Sequence, residues 1–205
     1  MNRKEDTGDR PMRKDLGAKA ALFPMPVLIV AAYDGEGNVN AMNAGLGTIS
    51  GKDRIVLMIS ANHKTTKNIH ETKAFTVALA DKDHMAVADF FGIVSGNKVQ
   101  DKFAKSGCHA EKSRFVNAPV ISEFPVTMEC EYMETIDTEN VYAIVGRIVN
   151  VSADENILSD DGRIDPFRLN ALIFDQFQCS YCVATERVGQ ACSVGRTIEK
   201  RSADD

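Results

Sequence analysis

Residues 23–68 read FPMPVLIVAAYDGEGNVNAMNAGLGTISGKDRIVLMISANHKTTKN, and this stretch decides the reading of the rest of the chain. An apolar run, Val27 to Tyr33, ends at Asp34-Gly35 with Gly37-Asn38 just behind, and such turn pairs predict a hairpin. A small-residue segment (Ala41, Asn43, Ala44, Gly45, Gly47) follows, then a second β-rich run from Ile55 to Ser60. That run empties into Ser60, Asn62, His63, Lys64, Thr65 and Asn68, at the start of a helix-like stretch over Lys64 to Thr72. Hydroxyls, amides and a cation at a helix N-terminus suit a phosphate monoester, because free N–H groups and the helix dipole favour an anion there. The small residues leave room for a flat group against the backbone, so the two halves together predict a nucleotide-like cofactor with a terminal phosphate. A helix cap over a solvated turn is the plainer account of the polar cluster taken alone. The neighbouring small-residue segment favours phosphate, which also accounts for a cation with no acidic partner beside it.

Outward from this stretch, strand signals dominate. Phe75 to Ala80 is another β-rich run, and Asp83 to Phe91 a short helix candidate stopped by Gly92. Residues 93–120 are rich in Gly, Ser, Lys and Asn and predict irregular connection. Phe124 to Ile136 and Asn140 to Ser152 alternate as two long strands joined by a turn at residues 137–140. On the first, Met128, Cys130 and Tyr132 share one face, and Thr127, Glu129 and Glu131 the other, read as solvated. An acidic loop, Ile157 to Pro166, precedes a last β-like stretch from Ala171 to Ala184. Many short strands with few short helices predict a mainly β fold, an antiparallel barrel rather than a doubly wound sheet. No G-x-G-x-x-G follows a strand, so the nicotinamide Rossmann fingerprint is absent.

Composition sets the outer bounds. A chain of 205 residues, 44% apolar and 26% charged, suits one soluble globular domain with a proper core. The expected division is a polar arm over 1–18, one domain over 19–196 and a polar tail over 197–205. A net charge of −5 and the lack of a basic stripe argue against nucleic acid. The longest apolar run is too short to span a bilayer, and no secretory h-region is seen, which places the protein in the cytoplasm. Five scattered cysteines predict reduced thiols rather than a disulfide framework. Cys179-x-x-Cys182 sits in a β-like stretch, where the two side chains do not share a face, so neither a redox motif nor a zinc site is read there. No histidine spacing predicts a metal, and Met25, Met42, Met58 and Met128 read as packing residues.

Several short motifs, in order and spacing, resemble the flavin reductase-like FMN-binding split-barrel proteins, and within them the flavoredoxin branch. They are Pro24-Met25-Pro26-Val27; Gly37, Asn40, Ala41 and Met42; His63-x-Thr65-x-x-Asn68-Ile69; and Thr72 to Val77. Ser95-Gly96 with Asp101-Lys102-Phe103, Asp161 to Asp165 and Val188 to Ala191 complete the set, and the likeness runs from about Leu22 to Gly195. The resemblance implies a Greek-key split β-barrel with a few short peripheral helices, and a homodimer binding FMN at or near its interface. It implies that Asn43, Ala44, Gly45, Leu46, Gly47 and Thr48 line the isoalloxazine, and that Ser60, His63, Lys64, Thr65 and Asn68 surround the phosphate. It also implies that Lys102, with Ser95 in the same loop, approaches the flavin's polar edge. Two positions depart from the pattern: Gly45-Leu46-Gly47 stands where many relatives carry a bulky aromatic, and Phe91 where a cysteine often stands. The implied activity is hydride or electron transfer through bound FMN, from NAD(P)H or from a small redox protein. The alternatives are a non-enzymatic FMN carrier or store served by a protein partner, and a barrel that has lost its cofactor.

Overall fold

The computed structural model describes residues 12–196 and 198; the sequence expectations for residues 1–11, 197 and 199–205 lie outside the described residues. Residues 12–24 are exposed and carry no helix or strand. The strands and helices then run β1 (Met25–Pro26), β2 (Leu28–Tyr33), β3 (Val39–Ala44), β4 (Gly47–Ile49), β5 (Arg54–Leu57), α1 (Lys64–Thr72) and β6 (Ala74–Leu79). They continue with α2 (Met85–Ile93), α3 (Lys102–Ser106), β7 (Ala110–Lys112), β8 (Pro119–Ile121), β9 (Val126–Asp137) and β10 (Tyr142–Ala153). A single 3-10 turn precedes α4 (Pro166–Leu169), β11 (Leu172–Asp175) and β12 (Ser180–Val183).

Seven strands form one antiparallel sheet in the order β3-β2-β6-β9-β10-β5-β4. β3 and β4 are its two edges, yet only Gly45 and Leu46 separate them in sequence, so the sheet curls until the edges approach. The approach is close: a Cβ on Gly47 would meet Leu28 of β2 at 2.6 Å and Leu57 of β5 at 2.9 Å. The edges do not pair, and the barrel stays split. Non-sequential neighbours, β2 beside β6 and β10 beside β5, give the Greek-key connections the resemblance implies.

β2 is buried on both faces, which is why it reads as an unbroken apolar run. Leu28, Val30 and Ala32 point into the barrel with Ile55, Leu57, Phe75, Val77, Cys130 and Ile144. Ile29 and Ala31 point outward, under Ala88 and Phe91 of α2. α1 drops Ile69 into the barrel core.

Several expectations need correction. Gly92 lies inside α2, which continues to Ile93. Residues 93–120 are not all irregular, since α3, β7 and β8 fall there. The polar face of β9 is not solvated at its start: Thr127 and Glu129 are buried beneath the loop before β8. Glu129 accepts from Ser113 Oγ and, at 2.6 Å, from Asn150 Nδ2, which satisfies a carboxylate that would otherwise be costly to bury. The last β-like stretch is a hairpin, with Cys179 in its turn at φ +52° and Cys182 on β12. All five cysteines are free, and burial, then Glu129, pushes the Cys130 thiol up to about 12.

Candidate functional site

Three chain segments that are distant in sequence meet at the outer end of β3. α1 begins at Lys64 after an extended His63 whose side chain makes no capping bond, so the first-turn N–H groups have no side-chain acceptor. The C-terminal turn of α2 and the loop to Gly96 come in from the other side. Between them a cavity of about 180 Å³ is lined by Asn40, Met42, Asn43, His63, Lys64, Thr65, Phe91 to Gly96 and Lys102.

The polar groups here are firmly placed. Asn40 Nδ2 donates to Thr65 Oγ1 at 2.6 Å, both buried, which joins β3 to the first turn of α1. Asn43 Nδ2 donates to Ala88 O at 3.1 Å and joins β3 to α2. Gly96 lets backbone come close, since a Cβ there would collide with Asn40 Oδ1, whereas a Cβ on Gly92 would make only ordinary contact with Asn43 Cβ, at 3.4 Å. Asn97 Nδ2 donates to Asn62 O at 2.8 Å and ties the two flanking loops together.

Lys102 is the electrostatic centre. The residue is 3% exposed, and Nζ donates to Phe91 O at 2.8 Å and sits 5.6 Å from the Phe91 ring centroid. Among the described residues no carboxylate pairs with it. Burial without a counter-ion pushes its pKa down to about 8. Burial, and then the Lys102 charge, also push His63 below its ordinary value. The cavity therefore presents positive charge and undersatisfied donors.

Of the residues expected at the cofactor, the structure brings Asn43, His63, Lys64, Thr65, Ser95 and Lys102 together around this cavity. The others do not line it. Ala44 is in the barrel core, while Gly45, Leu46, Gly47 and Thr48 follow the open barrel edge, with Leu46 half exposed. Ser60 is exposed, its carbonyl accepting from Thr66 Oγ1 at 2.8 Å. Asn68 faces inward one turn below Thr65, and its Nδ2 is buried without an acceptor. Lys64 is not the unpartnered cation expected: Nζ contacts Asp34 Oδ2 at 3.1 Å, on the turn between β2 and β3. The lining residues not predicted to hold the cofactor are Asn40, Met42, Phe91 to Val94 and Gly96. Three of them, Asn40, Met42 and Gly96, belong to motifs already visible in the sequence; the α2 turn reaches the cavity only through tertiary packing.

A larger open groove of about 1080 Å³ lies beyond Asn40 and Lys64. Asp34, Glu36, Glu71 and Asp101 line it, and four carboxylates repel a phosphate. The smaller cavity is the one suited to an anion.

The model of the flavin reductase-like domain matches residues 20–175. The chain belongs to the flavin reductase-like family. Within it the likeness is to flavoredoxins. The flavoredoxin of Desulfovibrio vulgaris (Miyazaki F) is 31% identical, with a TM-score of 0.85 over 90% of this chain and all of that one. The flavoredoxin of Methanosarcina acetivorans is 23% identical, with a TM-score of 0.81 over 92% of this chain and all of that one. An FMN-binding protein of Thermus thermophilus shares the fold at 20% identity, with a TM-score of 0.72 over 88% of this chain and 98% of its own. The mainly β split barrel expected of this flavin reductase-like chain is the fold found.

Proposed function

We propose that this chain is an FMN-dependent oxidoreductase of the flavin reductase/flavoredoxin type, acting in the cytoplasm as a homodimer with NAD(P)H as electron donor. FMN as cofactor follows from family membership. The observation that carries the reading is the convergence of an uncapped helix N-terminus and a buried, counter-ion-free ammonium on one cavity. Both groups fit an anion: the first turn of α1 has no side-chain acceptor, and the ammonium has one carbonyl and no counter-ion among the described residues.

His63, Lys64 and Thr65 would hold the phosphate at the start of α1, with Ser60 and Asn68 beside them. Asn43 and Ser95 would face the ring system. Lys102 would stabilise negative charge at the edge nearest to it, in a desolvated setting where a fixed cation acts strongly. Gly45, Gly47 and Thr48 offer small side chains at the barrel edge, where a second subunit would complete the site. Exposed Leu46, Ile49 and Met58 around β4 support that contact. When bound, FMN supplies the hydride and electron chemistry, so the protein's share is binding, orientation and electrostatics.

The test is anaerobic mixing of the FMN-loaded protein with NADH or NADPH. Rapid bleaching of the flavin band with either nucleotide is the expected result. A band that stays unbleached with both sinks the reductase reading.

A further inference from the structure

α2 forms one wall of the cavity, and no side chain caps its N-terminus. Among the described residues, side-chain hydrogen bonds reach Met85–Ile93 at three positions. Asn43 donates to Ala88 O at 3.1 Å, Lys102 donates to Phe91 O at 2.8 Å, and Tyr181 Oη donates to Asp89 Oδ1 at 2.9 Å. The first two come from residues that line the cavity. The third comes from β12, in the three-stranded sheet β1-β11-β12, which contributes no lining residue.

The Tyr181 ring packs in the apolar layer under α2, 6.0 Å from the Phe174 ring, so the hydroxyl is delivered by a fixed side chain. Burial, then the bond to Asp89 and its charge, push the Tyr181 pKa up to about 12. The hydroxyl therefore stays protonated and remains a donor at any physiological pH. A neutral–anionic bond of this kind, half buried, is stronger than one between neutral groups, and the Asn43 side chain lies against the same hydroxyl.

We propose that Tyr181 is a positioning residue for the cofactor cavity: anchored on Asp89, it fixes the last turn of α2 and with it the Phe91 carbonyl that holds the Lys102 ammonium. Asp89 and Phe91 are two residues apart on one helical turn, so a shift of the first carries the second. The role proposed in FMN binding rests on the cofactor reading above; the effect on Lys102 does not.

The test uses the full chain, with lysine side chains isotopically labelled and followed by NMR across pH, and Lys102→Met to assign the resonance. In the apoprotein Lys102 is expected to titrate near 8. In Tyr181→Phe, which keeps the ring and removes the hydroxyl, its midpoint should rise toward the ordinary lysine value as the amine gains water. Asp89→Asn retains an acceptor oxygen and should keep the wild-type midpoint. Tyr142→Phe loses a comparable bond, to His70 at 2.9 Å, away from the cavity, and should leave Lys102 unmoved. The FMN dissociation constant should rise about three- to tenfold in Tyr181→Phe alone. An unchanged Lys102 midpoint in Tyr181→Phe, or an equal displacement in Tyr142→Phe, overturns the proposal. A displaced midpoint in a protein that binds no FMN supports the positioning role and overturns the cofactor reading.

Discussion

The barrel interior and the cavity wall are built on opposite terms. Inside the barrel, Leu28, Val30, Ile55, Leu57, Phe75, Val77 and Ile144 are buried and apolar, and nothing there needs a partner. At the wall, a helix begins without a cap, and a buried ammonium has one carbonyl and no anion. Burying polar groups with incomplete partners costs stability, and those same groups are the ones a ligand can satisfy. Stability is thus concentrated in the barrel, and binding capacity in the wall hung on its outer face.

The sharpest way to break this division is Phe75→Ala. Phe75 is fully buried and packs against Gly146 of β10, so the change should destabilise the protein by about 3–5 kcal/mol in urea titration. A loss under about 1 kcal/mol would mean that the interior is not the main source of stability.

Next in size is the pH dependence of the apoprotein. Lys102 falls to about 8 in the fold, against about 10.4 in an unfolded chain. Between those values the unfolded chain holds more protons, so the contribution of Lys102 to stability rises with pH through that window and stays at its lowest below 8. The full rise is on the order of 3 kcal/mol. Lys102→Met should be more stable than wild type at pH 7 and should lack the rise, measured as the difference between the two proteins in urea at pH 7 to 10. Parallel curves would show that the ammonium carries no burial penalty.

Gly96→Ala probes the wall's geometry. The added Cβ collides with Asn40 Oδ1 and forces Asn40 off Thr65, which should cost about 1–3 kcal/mol and weaken cofactor retention in the same variant. The smallest effect on stability belongs to Lys64→Ala. Its pair with Asp34 is partly exposed and worth about 0–1 kcal/mol, yet FMN affinity should fall about tenfold if Lys64 turns to the phosphate. Equal affinity in wild type and variant would remove Lys64 from the site.

How legible these regions were follows from the range of their interactions. α1 was readable to its boundaries, Lys64–Thr72, because a polar start and an amphipathic run are local signals. β2 was readable because burial on both faces leaves a continuous apolar run. Gly92 was misread as a helix stop because the helix runs one residue past it, to Ile93, and closes with the bond from Val94 N–H to Phe90 O. Glu129 was misread as solvated because its partners, Ser113 and Asn150, lie 16 and 21 residues away. Lys64 looked unpaired because Asp34 is 30 residues upstream. α3, five residues long, has too little periodicity to stand out, although it delivers Lys102 to the cavity.

The central claim is that the anion-suited cavity around α1 and Lys102 holds FMN. Fluorescence titration of the apoprotein with FMN, for wild type and Lys102→Met at pH 7 and pH 9.5, tests it most directly. Saturable binding at one FMN per chain, weaker in wild type at pH 9.5 than at pH 7, with a pH-independent and reduced affinity in Lys102→Met, is the expected result. Absence of binding, or an affinity that neither pH nor the loss of the ammonium changes, would contradict it.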